Sequence, residues 1–294
     1  MRGRAFVLLA IFALIAAGCD ALFGPPPTSI PEVPTVIPAS PITRPIVPTL
    51  ATSDANLTNI QQYTPGSVPV GTDTRFTPTP LTGQSRSSAP MSFTADDGLI
   101  LVATYYAVDL SPAPVVMLLP GIGSRRDSWA PLAASLQAAG YSALALDLRG
   151  QGETGGPPNW TQAPQDVALV LGRLAALPGV DPKRISVVGA SLGANLAIVG
   201  CAASGTCRSV VLLSPSLEDH GVKTADALAS YGAHPVLIVA STDDHPSGPD
   251  SAALLKLAQD DPQAITFAGT ARGMDLFTNR PALAGQIVAW LKVH

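Results

Sequence analysis

From residue 91 onward the chain alternates short β-branched runs with longer stretches of helical period, and this alternation restricts the fold more than any other feature. Strands are expected at 99–107, 115–119, 143–146, 185–188, 210–213, 236–240 and 265–268. Helices are expected near 128–139, 165–177, 192–203, 224–230, 250–259 and 281–293. Most of the strand runs are apolar throughout rather than on every second residue, so both faces of the sheet must be covered. That pattern belongs to an α/β fold with a mostly parallel central sheet and helices on both faces. In such sheets ligands bind beyond the carboxyl ends of the strands, so the residues standing there carry the functional argument.

Behind the run 185–188 stands Gly189-Ala190-Ser191-Leu192-Gly193. This G-x-S-x-G has the strand–turn–helix context of a nucleophile elbow, where glycines permit a sharp turn that pushes a serine hydroxyl into the open. Behind 115–119 comes Pro120-Gly121-Ile122-Gly123-Ser124, whose backbone can aim N–H groups at a developing oxyanion; Ile122 and Leu192 would be the two amide donors. After 143–146 comes Asp147-Leu148-Arg149-Gly150-Gln151-Gly152. After 236–240 comes Ser241-Thr242-Asp243-Asp244, which sets two carboxylates at a strand end. Asp243 is the preferred acid, with Asp244 as the alternative.

Taken in order, these parts resemble the α/β-hydrolase family from about residue 91 to the C-terminus, with dienelactone-hydrolase-like and serine-esterase members nearest in character. The resemblance implies acyl transfer to water: Ser191 attacks an ester-type carbonyl, the Ile122 and Leu192 amides hold the oxyanion, and Asp243 orients the base. It implies no metal and no organic cofactor.

The family's histidine normally follows the last strand, in a loop reading roughly Gly-x-x-His-Gly. Here the loop reads Gly269-Thr270-Ala271-Arg272-Gly273, so Arg272 holds the expected base position. A guanidinium stays protonated and cannot accept the serine proton. Of the four histidines, His220 follows the run 210–213 at the functional end and His245 adjoins the acidic pair. His234 enters a strand at the opposite end, and His294 is terminal. Two functions therefore remain open, a serine hydrolase with a displaced base and a degenerate hydrolase that binds a ligand or partner without turnover.

Residues 1–18 have the form of a signal peptide: Arg2 and Arg4, an apolar stretch from Ala5 to Ala17 too short to span a bilayer, and a small-residue end. The ending Ala16-Ala17-Gly18-Cys19 resembles a bacterial lipobox, which implies lipidation of Cys19 and anchoring on the extracytoplasmic face of a bacterial membrane. Residues 19–90 read as a tether, because fourteen of the 29 prolines fall there, among threonine and serine, with no helical or strand period. Cys201 and Cys207 then form an even remainder in an exported chain, which favours a disulfide. Their spacing suits neither zinc nor a C-x-x-C redox pair. With 13% charged residues and a net charge of −4 there is no basic stripe, so nucleic acid is not an expected partner. The expected partners are a small ester-like substrate or ligand and, through the anchor, a membrane.

Overall fold

The computed structural model describes residues 87–294; the expected signal peptide, Cys19 and nearly all of the expected tether lie outside the described residues. The elements, in chain order, begin with β1 (Ser87–Thr94), β2 (Ile100–Ala107) and β3 (Ala113–Leu119). A short 3-10 turn, Arg126–Trp129, leads into α1 (Ala130–Ala138), followed by β4 (Ser142–Leu146), α2 (Ala163–Ala175), β5 (Val180–Ala190), α3 (Leu192–Ser204) and β6 (Ser209–Leu213). The two-residue strands β7 (Glu218–Asp219) and β8 (Val222–Lys223) form a small hairpin before α4 (Ala225–Tyr231). Then come β9 (Val236–Ser241), α5 (Ser247–Leu257), β10 (Gln263–Phe267), α6 (Asp275–Asn279) and α7 (Leu283–Val293).

Eight strands form one sheet in the order β1-β2-β4-β3-β5-β6-β9-β10. The β1–β2 and β2–β4 pairs are antiparallel and every pair from β4 to β10 is parallel. All seven runs expected as strands are strands, and the six expected helices are present with shifted ends. Three things differ from the sequence reading. β1 begins at Ser87, inside the stretch read as tether, because Ser87–Pro90 pair with residues of β2. The β7–β8 hairpin and α6 were not expected, being too short to show a period.

Side-chain alternation along the buried strands divides the core in two. Val115, Met117 and Leu119 of β3, with Ile185 and Val187 of β5, pack against α2 and α3 through residues such as Val167, Leu171 and Leu196. Val116 and Leu118, with Val188 and Ala190, face the other way onto Trp129, Leu132 and Leu136 and onto Leu283, Ile287 and Leu291 of α7. The sheet is thus buried on both sides, as runs without polar alternation require.

Cys201 at the end of α3 and Cys207 before β6 are disulfide-bonded with Cα atoms 5.3 Å apart. Gly205, with φ of 65°, terminates α3 between them. The bridge therefore staples the helix behind the elbow to the next strand.

Candidate functional site

The Ser191 elbow is built by β5 and α3. Ser191 has φ 52° and ψ −122°, in the left-handed half of φ/ψ space that L-residues avoid. Such strain costs on the order of 1–3 kcal/mol and persists only where the surroundings impose it. Here the Ser191 amide is fixed to the Leu213 carbonyl of β6 at 2.8 Å, and its carbonyl accepts from Ala194 and Asn195 of α3. Glycine is needed on both sides: a Cβ on Gly189 would overlap the Gly193 backbone, and one on Gly193 would overlap the Leu119 carbonyl. The spacing of the motif is thus a packing requirement, and it leaves the Ser191 side chain part-exposed at the carboxyl end of the sheet.

The turn after β3 lies directly over this elbow, since a Cβ on Gly121 would sit 3.2 Å from the Ser191 Cβ. Ile122 is 46% exposed and Leu192 fully buried at the first turn of α3. The turn is held from below by the loop after β4. The Gly123 amide donates to Gln151 Oε1. Fully buried Asp147 accepts from the Arg126 amide at 2.8 Å, the Glu153 amide at 2.9 Å and the Arg126 guanidinium. Nearby, Arg149 grips Asp166 through Nε (2.6 Å) and Nη2 (2.7 Å) and Asp97 through Nη1 (3.0 Å). These hydrogen bonds raise the Arg149 pKa above the ordinary arginine value, and the Arg149 bond lowers that of Asp97. The segment 147–152 is therefore scaffolding that supports the turn after β3.

The loop after β10 brings the third component. Arg272 donates to Ser191 Oγ from both Nε and Nη2 at 3.3 Å, and its Nη1 donates to Asp244 Oδ1 at 3.2 Å. The arginine thus stands between Ser191 and Asp244. Its neighbour Gly273 is pinned by an amide bond to Ser214 Oγ at 3.0 Å. Ser214 is itself held at φ 51° after β6.

Of the two neighbouring carboxylates, it is Asp244 that meets Arg272, whereas Asp243 was the one preferred from the sequence. Asp244 is 6% exposed and carries the Arg272 bond, whereas Asp243 is exposed and closes the loop by exchanging two bonds with Gly269. The turn after Ser241 points the two adjacent side chains in different directions, and no sequence signal separates them. Asp244 Oδ2 is buried without a protein partner.

Neither candidate histidine is recorded against Ser191. His220, at the tip of the β7–β8 hairpin, bonds Asp219 through Nδ1 at 2.5 Å and meets the Trp160 ring edge-on at 6.3 Å. His245 is exposed before Pro246. His234 lies tilted against the Tyr231 ring and His294 stacks on Trp290. Asn195 and Ser214 were missed by the sequence reading. Asn195 is fully buried and ties α3 to the hairpin by accepting from Ser216 and donating to Val222. Among the described residues no group of three or more His, Cys, Asp or Glu side chains converges to hold a metal.

A strand-ordered sheet of this kind, with a serine elbow at its centre and an acid and a loop residue converging from later strands, defines the hydrolase class of α/β fold. The alpha/beta hydrolase family model matches residues 116–293, and the chain belongs to that family. Among curated proteins it is 34% identical over 120 residues to an uncharacterized protein of Mycobacterium tuberculosis, covering 40% of this chain and 42% of that one. It is 30% identical over 134 residues to a thiohydrolase of Arthrinium phaeospermum, covering 44% of this chain and 43% of that one. The match thus spans less than half the length of these relatives. Among solved structures, an alpha/beta hydrolase from Penicillium superposes with a TM-score of 0.63 at 15% identity, covering 71% of this chain and 99% of that one. A Pyrococcus furiosus esterase gives 0.59 at 19% identity, covering 70% and 91%. These likenesses concern the fold.

Proposed function

We propose that this chain is a lipid-anchored, extracytoplasmic α/β-hydrolase-fold protein whose Ser191 site binds a carbonyl- or carboxylate-bearing ligand without hydrolysing it. One observation carries the reading: Arg272 spans Ser191 and Asp244. A serine becomes a nucleophile when a neighbouring base accepts its proton. Here the group at the base position donates two hydrogen bonds to the oxygen that would have to attack. A guanidinium has no acceptor lone pair, so the arrangement ties up the oxygen and offers its proton nowhere to go. The Asp244 carboxylate, which would orient an imidazole, instead balances the arginine charge. The remaining parts suit ligand binding: the Ile122 and Leu192 amides as donors to a ligand oxygen, with the Ser191 hydroxyl and Arg272 at its side.

The rival reading, a working serine esterase, draws support from a single feature, the His220–Asp219 pair, which is a histidine already oriented by a carboxylate. Labelling the full chain with a fluorophosphonate probe separates the two. The binding reading expects no label on Ser191. Stoichiometric labelling lost in Ser191→Ala and in His220→Ala would replace it with the esterase reading.

A further inference from the structure

The loop that carries Arg272 has a second face. Next to Arg272 in sequence, Gly269, Thr270 and Ala271 form one wall of a cleft of about 210 Å³, lined also by Ser241, Phe267, Ala268, Leu276, Asn279 and Arg280. Three features make this more than a packing gap. Ser241, at the end of β9, is 1% exposed; the residue lines the cleft, and its buried Oγ has no hydrogen-bond partner within the protein. Buried hydroxyls without partners are uncommon, because each forfeits the hydrogen bonds it would make in water. Arg280 stands at the rim with its guanidinium 5.0 Å from the Phe267 ring centroid, and its recorded partners are the Ala268 and Asn279 carbonyls. Among the described residues it has no carboxylate partner, and no acidic side chain lines the cleft. The Asp243 carboxylate, which borders the same loop, is taken up by the Gly269 amide at 3.1 Å.

We propose that this cleft is a binding site for a small organic carboxylate, separate from the Ser191 site. The carboxylate would accept from the Arg280 guanidinium and the Ser241 hydroxyl, and the ligand's hydrocarbon body would lie against Phe267 and Leu276. Size agrees: an engineered apolar cavity of about 150 Å³ accepts benzene, so this cleft has room for a single ring with a carboxylate. Charge agrees too, because the lining carries one unpaired cation and no anion. A guanidinium stacked on an aromatic face is also held in position, which reduces the rotamer freedom lost when a ligand binds. The site stands independently of what Ser191 does.

Sodium benzoate is the probe, with benzamide as its neutral counterpart, and calorimetry on the full chain is the measurement. The expected result is saturable binding of benzoate, with benzamide at least about tenfold weaker. Arg280→Gln should weaken benzoate at least about tenfold, Arg280→Lys should recover part of the loss, and Ser241→Ala should weaken it several-fold. Arg173→Gln, at an exposed arginine of α2, should leave the affinity unchanged. Equal binding of benzoate and benzamide, or no saturable binding, would overturn the proposal. So would loss of binding in Arg272→Gln but not in Arg280→Gln, which would place the acid at Ser191. Should Arg280→Gln fail to fold, the benzoate–benzamide comparison and Ser241→Ala decide the matter alone.

Discussion

Replacing Arg272 with histidine tests whether the family's chemistry was lost at one atom. The Nε2 of histidine lies as many bonds from Cα as the Nε of arginine, the atom now 3.3 Å from Ser191 Oγ. An imidazole built on this backbone can therefore reach the serine. It falls short on the other side, because Asp244 meets Nη1 at the far end of the guanidinium, beyond the span of an imidazole ring. General-base catalysis contributes roughly 10²–10⁴ in rate, and without a well-placed acid the gain belongs at the lower end. A hundredfold rise in hydrolysis of an activated ester is expected, equal to about 2.7 kcal/mol of barrier. Steady-state assays with a nitrophenyl acetate-type substrate measure it. The restored rate should vanish in the double variant with Ser191→Ala. It should also fall as the pH drops below about 6.5, where an ordinary imidazole becomes protonated and ceases to be a base. Arg272→Ala controls for simple removal of the guanidinium and should gain far less. A wild-type chain that already turns over the ester through Ser191 would refute the reasoning. So would equal gains in Arg272→His and Arg272→Ala, since the histidine would then not be acting as a base.

Three other outcomes follow from particular residues. Cys19→Ser should release the protein from detergent-phase membrane fractions, and equal partitioning of variant and parent would refute the lipid anchor. Intact-mass measurement of material from the oxidising compartment should show the Cys201–Cys207 bridge; replacing both by serine should cost about 2 kcal/mol, the chain-entropy value of so short a loop, read from denaturant unfolding. Asp166→Asn strips the buried Arg149 guanidinium of its bidentate partner and leaves Asp97 as its remaining carboxylate. Removing one member of a buried pair costs about 3–5 kcal/mol, and the lower figure applies here because Asp97 remains. Thermal unfolding should then shift down by several degrees, and an unchanged Tm would show the pair to be structurally idle.

The seven strand runs and six helical stretches were legible because burial on both faces writes itself into the sequence as uninterrupted apolar runs separated by amphipathic ones. The elbow was legible for a related reason: Gly189 and Gly193 stand where any side chain would strike backbone, so the close approach of β5, α3 and β3 appears as a fixed spacing of glycines. Arg272 could be expected near Ser191 because it lies in the loop that follows the last strand, and it does contact Ser191 and Asp244. Elements held by their partners were not readable. β1 begins at Ser87 because β2 offers it a hydrogen-bonding edge, and the β7–β8 hairpin is held by Asn195, far away in sequence.

The sequence by itself determined the class of sheet, the serine elbow, the cysteine pair and an arginine in the loop after the last strand, all properties of local spacing and of a side chain's own chemistry. Only the tertiary structure decided which of two neighbouring carboxylates faces the arginine. It alone gave the segment 147–152 its role as support for the turn at Ile122, and it alone left Ser241 and Arg280 facing one cleft. Those outcomes depend on where separate strands end in space, and hydrogen bonds and buried charges are matched across such distances only when the sheet has assembled.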